Sequence, residues 1–247
     1  MNTVTKDIMR NKFTILLAGI IIEIDTITTG TCVLCRDYLY EGKPDCRIKI
    51  SKEDIDQEWH NNKSIRHNKV SAETTAVFRK IANELINYNI LLMHGAVISL
   101  YDNAYMFSAP SGTGKTTHIK LWLQNAADTI VINGDKPLIK VSEKNVLAYG
   151  SPWSGSENMN SNTAKPLRSI VLLVRSERNH IEKVDFSRIY PFLLQQTYIP
   201  NDASKAKKAL SLFSALYQKV SLYRFECNNY KDDCFNVAYK ALVSDIN

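Results

Sequence analysis

Long apolar runs are missing from this 247-residue chain, and no window approaches the about 18 uninterrupted apolar residues of a membrane helix. That excludes a spanning role and predicts no membrane partner. Cysteine is scarce and odd in number, five in all at irregular spacing, which argues against a disulfide framework and for a reducing compartment, the cytoplasm. Cys32-Val33-Leu34-Cys35 forms the one close pair. With no second CxxC, and with His60 and His67 in a polar stretch, buried free thiols are a better reading than zinc or redox chemistry. Charge of one sign is slight, 31 Lys plus Arg against 25 Asp plus Glu. Its densest cluster, Lys205, Lys207 and Lys208, reads as a solvated helix face, so no nucleic-acid partner is expected. Repeats and low-complexity tracts are absent from the sequence.

What is present is ordinary for a globular protein: 45% hydrophobic and 23% charged residues, in a length that allows one large domain or two small ones. Residues 13–22, FTILLAGIII, follow Lys6, Arg10 and Lys12 and so superficially resemble a signal peptide. Asp7 within the basic region, Glu23 and Asp25 straight after the run, and the lack of a small-x-small cleavage site oppose that reading. Gly19 between two β-branched runs, followed by the alternation Ile22-Glu23-Ile24-Asp25, predicts a hairpin instead.

Residues 1–66 read as a small β-rich N-terminal lobe, and residues 67–247 as a second, α/β domain. In the latter, Ser71 as N-cap with Phe78, Ile81, Leu85 and Tyr88 at three and four residue spacing predicts an amphipathic helix. A strand over 90–100, a turn at Tyr101-Asp102-Asn103 and a strand over 104–109 predict a hairpin. A helix over 115–125 and strands over 129–133, 137–142, 146–150 and 169–175 follow. The C-terminal third reads as helices over 187–198, 202–219 and 231–243, with a strand over 221–227.

The informative stretch is Ser108-Ala109-Pro110-Ser111-Gly112-Thr113-Gly114-Lys115-Thr116-Thr117, between a predicted strand and a predicted helix. Gly112 and Gly114 let the backbone turn its N–H groups toward phosphate oxygens, and the helix start adds free donors and the positive dipole end. Ser111, Gly112, Thr113, Gly114, Lys115, Thr116 and Thr117 are therefore the expected nucleotide-binding residues. Lys115 would neutralise the β and γ phosphates, and the Thr116 hydroxyl would ligate Mg2+. Ala109 stands where the GxxxxGK[ST] pattern has glycine, which is tolerable at negative φ.

Only 20 residues separate Lys115 from Asp135, room for one helix of about 11 residues and one return strand of about five. Asp135 should then end a strand beside the loop, where a carboxylate can hold Mg2+ or accept a proton from an attacking hydroxyl. Alternatively, Gly134-Asp135 is only a turn before Pro137. If the hairpin turn centres on Asp102, His94 faces position 110 at the mouth of the loop, either as a catalytic imidazole or as a structural residue at a strand start.

His94-Gly95-Ala96-Val97, the hairpin, SAPSGTGKTT, the helix and then Ile132-Asn133-Gly134-Asp135 resemble, in order and spacing, the catalytic core of the bacterial HPr serine kinase/phosphorylase family. The same core is similar to the nucleotide-binding half of ATP-dependent phosphoenolpyruvate carboxykinases. Tyr149-Gly150-Ser151-Pro152-Trp153-Ser154-Gly155 is similar to a segment of such kinase-like proteins. The resemblance covers residues 90–175 and implies an α/β P-loop kinase core, ATP and Mg2+ as cofactors, and assembly of several copies, although the helices from Asp202 onward could equally pack within one chain. It implies that Lys115 meets the phosphates, Thr116 the metal, and that Asp135 is base in one direction and acid in the other, with His94 beside it. The family's paired aspartates appear as Gly134-Asp135, so Glu157 is the candidate for a second metal-binding acid. The family's glycine-rich second motif is not found, so the resemblance does not by itself carry the HPr substrate and the phosphorylase activity over to this chain.

Phosphoryl transfer needs positive charge around the transferred group. Arg168 and Arg175 flank a predicted strand and are candidates, Arg168 as a catalytic residue. Residues 151–164, with Trp153 among Ser, Asn and Gly, are a candidate acceptor-binding or closing segment. The sequence thus reads as a kinase moving the γ-phosphoryl of ATP to a hydroxyl of a protein, a peptide or a small molecule such as free serine. The alternatives are a nucleotide-binding accessory protein with little catalysis and a carboxykinase-like enzyme, for which the chain is short and lacks an identifiable oxaloacetate site.

Overall fold

The computed structural model describes residues 11–61, 69–228 and 233–244 and is of mixed α/β class. The chain divides into two compact units, Met1–Asn87 and Tyr88–Asn247.

In the first unit, β1 (Lys12–Leu17) and β2 (Ile20–Asp25) form the expected antiparallel hairpin. Ala18 and Gly19 both have positive φ, 52° and 81°, as a tight two-residue turn with right-handed strand twist requires. Alternate residues Ile15, Leu17, Ile22 and Ile24 are fully buried, so the period-two pattern selects the core face. β3 (Cys46–Lys49) adds in parallel to β2. The lobe is less purely β than its sequence suggests, because it also contains the helices α1 (Gly30–Leu34) and α2 (Lys52–Asn61). α3 (Lys69–Leu85) belongs to this unit, whereas the sequence boundary after residue 66 had assigned it to the second. Ser71, expected as its N-cap, lies inside the helix. Buried Glu73 explains part of this packing: its carboxylate accepts from the amides of Ile27, at 2.6 Å, and Thr28, at 3.1 Å. Cys32 and Cys35 are buried and not in a disulfide, on and just after α1. His67 lies outside the described residues.

The second unit is built on a nine-stranded curled sheet. The apolar run over 90–100 is two strands, β4 (Ile90–Leu92) and β5 (Ala96–Leu100). The break comes from competition for pairing: Met93 bridges Thr197, and the Tyr198 amide donates to Leu92 O at 2.9 Å. β5 turns back through Tyr101 and Asp102, with φ of 48° and 64°, into β6 (Asn103–Ser108). The turn is thus two residues rather than three. Ala96 faces Phe107, so His94 sits just beyond the ladder, level with position 109 rather than 110.

α4 (Lys115–Asn125) and β7 (Ile130–Asn133) follow, then the hairpin β8 (Leu138–Val141) and β9 (Val146–Tyr149). The longest strand, β10 (Ala164–Arg175), starts five residues before its expected onset at 169. Its first residues pair antiparallel with β9, and the remainder lies parallel between β6 and β12 (Ser221–Cys227). The SIVLLV run fits that central place, since a strand covered on both faces has no polar side. β11 (His180–Lys183) pairs with β12. α5 (Phe186–Gln195), α6 (Ala203–Tyr217) and α7 (Asp233–Leu242) complete the unit. Asp202 caps α6, accepting from the Lys205 amide at 2.8 Å. Behind α4, Phe107, Ile119, Trp122, Val171 and Phe225 form the fully buried centre of the core. No helix among the described residues is long and apolar enough to cross a membrane.

Candidate active site

β6 and β7 both run antiparallel to β5, and β10 runs parallel to β6. The C-terminal ends of β6, β7 and β10 therefore share one end of the sheet with the start of β5. The loop after β6, the turn after β7, Arg175 and His94 all converge there. A cleft of about 460 Å³ opens between them, lined by His94, Ser111, Gly112, Gly114, Lys115, Thr116, Thr117, Asp135 and the 154–159 segment.

The glycine loop carries the strain its sequence allows. Gly112 and Gly114 have φ of 77° and 108°, whereas Ala109 stays outside the left-handed region. Gly114 is the N-cap of α4 and no side chain caps that end, so first-turn amides remain free to meet an anion. Lys115 is buried, and its Nζ donates to Ala109 O at 2.9 Å and to Pro110 O at 3.4 Å. Burial lowers its affinity for the proton; nearby Asp135 opposes that shift and Lys136 adds to it. Thr113 turns its amide to Pro110 O at 3.3 Å. Arg175 braces the loop from outside: its guanidinium donates to Gly112 O and, at 3.5 Å, to Thr113 O.

Asp135 is held by a polar turn. Fully buried Asn133 accepts from the amides of Asp135, at 2.9 Å, and Lys136, at 2.6 Å, through Oδ1. Its Nδ2 donates to Ser151 O at 3.0 Å, and the Ser151 hydroxyl donates to Lys136 O at 2.8 Å. Gly155 lies against Asp135: its φ is +80°, and a Cβ there would stand 3.1 Å from Asp135 Cβ. Asp135 Oδ1 is 3.1 Å from His94 Nε2, and Oδ2 is 3.6 Å from Lys136 Nζ. Burial alone would raise the Asp135 carboxyl; the hydrogen bond from His94 and the charges of Lys136, His94 and Lys115 outweigh it and hold the group below the usual carboxylate value. On the other side of the imidazole, Nδ1 lies 2.6 Å from Gln196 Oε1, and the His94 amide donates to Gln196 O at 2.6 Å.

Of the residues singled out from sequence, the cleft thus gathers the loop, Lys115, Thr116, Thr117, Asp135, His94 and Glu157. Glu157 is exposed and pairs with Lys120 at 3.4 Å. Arg168 is not brought there. It lies near the N-terminal end of the parallel part of β10, beside Leu167, which pairs with Ala104 at the start of β6. At about 3.3 Å per residue that is more than 20 Å of strand from Arg175. Asn133, Ser151 and Gly155 fall within the stretches that carry the resemblance but had no individual role assigned to them, and Gln196 went unnoticed in the sequence. An Asn just before Gly-Asp could have been read as a turn former, whereas nothing local marks Gln196.

No group of three or more His, Cys, Asp or Glu side chains among the described residues could hold a metal by itself. The donor set of Thr116, Asp135 and Glu157 does fit a magnesium ion that takes one or two carboxylates and completes its shell with phosphate oxygens and water.

No family model matches the chain, and no curated protein matches it in sequence. In structure it is similar to the Hpr(Ser) kinase/phosphatase from Coxiella burnetii, over 63% of this chain and 99% of that one, with a TM-score of 0.38 and 8% identity. The likeness is distant and lies at the level of the fold.

Proposed function

We propose that the chain is an ATP- and Mg2+-dependent kinase that transfers the γ-phosphoryl group to a hydroxyl acceptor. The observation that carries this reading is the meeting of a glycine loop, with its lysine and uncapped helix start, and an Asp–His pair across one cleft. In this reading Lys115 and the first-turn amides of α4 hold the donor phosphates. Thr116 and Asp135 would hold Mg2+, with Glu157 in reach, and the ion would offset charge on the transferring group. Asp135, ionised at neutral pH, takes the acceptor hydroxyl's proton as the new O–P bond forms and the bond to the β-phosphate bridge breaks, releasing ADP. His94 orients that carboxylate.

One observation favours the accessory-protein reading: both Asp135 oxygens already face cationic or imidazole partners, as in a structural ion pair. The two separate experimentally. Protein and its Asp135→Asn variant are incubated with γ-labelled ATP, Mg2+ and an extract of the source cell, and macromolecules are parted from small molecules. Label that depends on Asp135 supports the kinase and shows whether its acceptor is a macromolecule or a metabolite. ATP binding without Asp135-dependent label in either fraction overturns it in favour of the accessory protein.

A further inference from the structure

The hydroxyl-bearing residues that line the cleft are Ser111, Thr116, Thr117, Ser154 and Ser156. The first three stand on the glycine loop and the start of α4, the side that would hold the donor phosphates. Ser154 is buried, and its Oγ accepts from Asn160 Nδ2 at 3.0 Å. Ser156 differs from all of these. It is exposed, lies on the opposite wall, and its hydroxyl has no hydrogen-bond partner among the described residues.

The backbone that carries Ser156 is fixed on both sides. Gly155 and Asn158 have positive φ, 80° and 50°, and the Asn158 amide donates to Gly155 O at 3.3 Å. Ser156 and Glu157 are thereby the two corners of a tight turn. Before Ser156, Gly155 lies against the Asp135 side chain: a Cβ on it would stand 3.9 Å from Asp135 Oδ2. After Ser156, Glu157 pairs with Lys120 at 3.4 Å, and Lys120 is about one turn along α4 from Thr116. The residue before Ser156 thus touches the expected base, and the residue after it is tied to the helix whose start would hold the phosphates. A hydroxyl between base and donor is where an acceptor for in-line transfer belongs.

We propose that the Ser156 hydroxyl is a phosphoacceptor and that the chain phosphorylates itself there. This rests on the kinase reading and names an acceptor for it. Ser156 Oγ bonds to the γ-phosphorus of ATP, the bond from that phosphorus to the β–γ bridging oxygen breaks, and ADP leaves; the hydroxyl proton passes to the Asp135 carboxylate. The phosphoserine brings about −1.5 to −2 of charge beside Glu157, and Lys120, already drawn to the turn, offsets part of it.

The test uses the full chain alone, first stripped of phosphate with a phosphatase, then incubated with γ-labelled ATP and Mg2+; mass spectrometry of its peptides locates the label. Wild type should take up label at Ser156, approaching a single phosphate per chain. The rate per chain should stay constant over about a tenfold range of protein concentration, as transfer within one molecule requires. Asp135→Asn should lose the label. Ser156→Ala should lower incorporation about tenfold or more, and Ser156→Thr, which keeps a hydroxyl, should regain it as phosphothreonine. Label elsewhere on the chain with none at Ser156 overturns the proposal, as does a rate per chain that rises in proportion to protein concentration. Asp135-dependent label on an acceptor in the cell extract, with Ser156 unlabelled, overturns self-phosphorylation and leaves the kinase standing. No Asp135-dependent label in either experiment overturns both.

Discussion

His94 joins Gln196 to Asp135: its Nδ1 is 2.6 Å from Gln196 Oε1 and its Nε2 is 3.1 Å from Asp135 Oδ1, across 102 residues of sequence between His94 and Gln196. The imidazole cannot turn without losing one contact, so the end of α5 fixes the direction from which Asp135 is approached. Gln196→Met should lower the rate of Asp135-dependent transfer about fivefold, the worth of one hydrogen bond of about 1 kcal/mol. Gln196→Glu, which keeps an acceptor oxygen, should retain more of it. ATP affinity, measured by calorimetry, should stay nearly constant in both. Equal losses in the two variants would show that Gln196 acts only through packing.

Gly155 sets the other wall of Asp135. Alanine at its φ of +80° is strained, and the added Cβ would meet Asp135 Cβ at 3.1 Å. Gly155→Ala should destabilise the protein by about 1 kcal/mol in urea unfolding. Transfer should fall by a larger factor than ATP affinity, since the contact bears on the carboxylate rather than on the loop. Affinity falling in step with transfer would instead locate the damage in the nucleotide cleft.

The contrast between Asp135 and Gln196 shows which parts of the site were legible in the sequence. The loop, the helix after it and Asp135 lie within one strand–helix–strand stretch, where glycine placement and element lengths decide the geometry. The limits of β12, Ser221–Cys227, coincide with those expected from the sequence. The gap between β4 and β5 was not legible, because residues 92–94 pair with 196–198, and that partner is remote in sequence. Arg168 was misplaced for a related reason: a strand's residues are local, but which end of the sheet they occupy depends on whether its neighbours run parallel. β10 also begins before Pro166, within a stretch read as loop, because β9 supplies a partner for only those first residues.

Lys115 makes a prediction about alkaline pH. Its folded pKa is depressed, chiefly by burial, so above that value the unfolded chain binds the proton that the native state has shed. Stability from this group therefore grows as pH rises toward the ordinary lysine value of about 10.4. Unfolding of the ligand-free protein across pH 7 to about 10 should show this gain in the wild type and lack it in Lys115→Met. The same variant should bind ATP roughly 10- to 100-fold more weakly, the loss of a charge-assisted contact. A variant with an unaltered pH profile would show that the buried ammonium is not at issue.

His118 makes the complementary prediction in acid. It is fully buried behind the glycine loop, between Phe107 and Phe225, and burial lowers its pKa from 6.5 to about 3. Its Nε2 accepts from the Trp122 indole at 3.1 Å, which leaves the hydrogen on Nδ1, 3.7 Å from Cys234 Sγ. The neutral ring is thus the one the core accommodates. As pH falls below 6.5 the unfolded chain takes up a proton at this residue that the native state refuses, so native stability declines until about pH 3. One proton corresponds to a slope of about 1.4 kcal/mol per pH unit. Urea unfolding between pH 4 and 6 should show that slope for the wild type, beyond what other groups contribute, and lose it in His118→Phe. The Phe variant forfeits the acceptor of the Trp122 N–H, so it should be less stable than wild type at pH 7 by about 1 to 3 kcal/mol. The two curves should converge, or cross, in acid. A slope retained in the variant would assign the acid sensitivity to other groups.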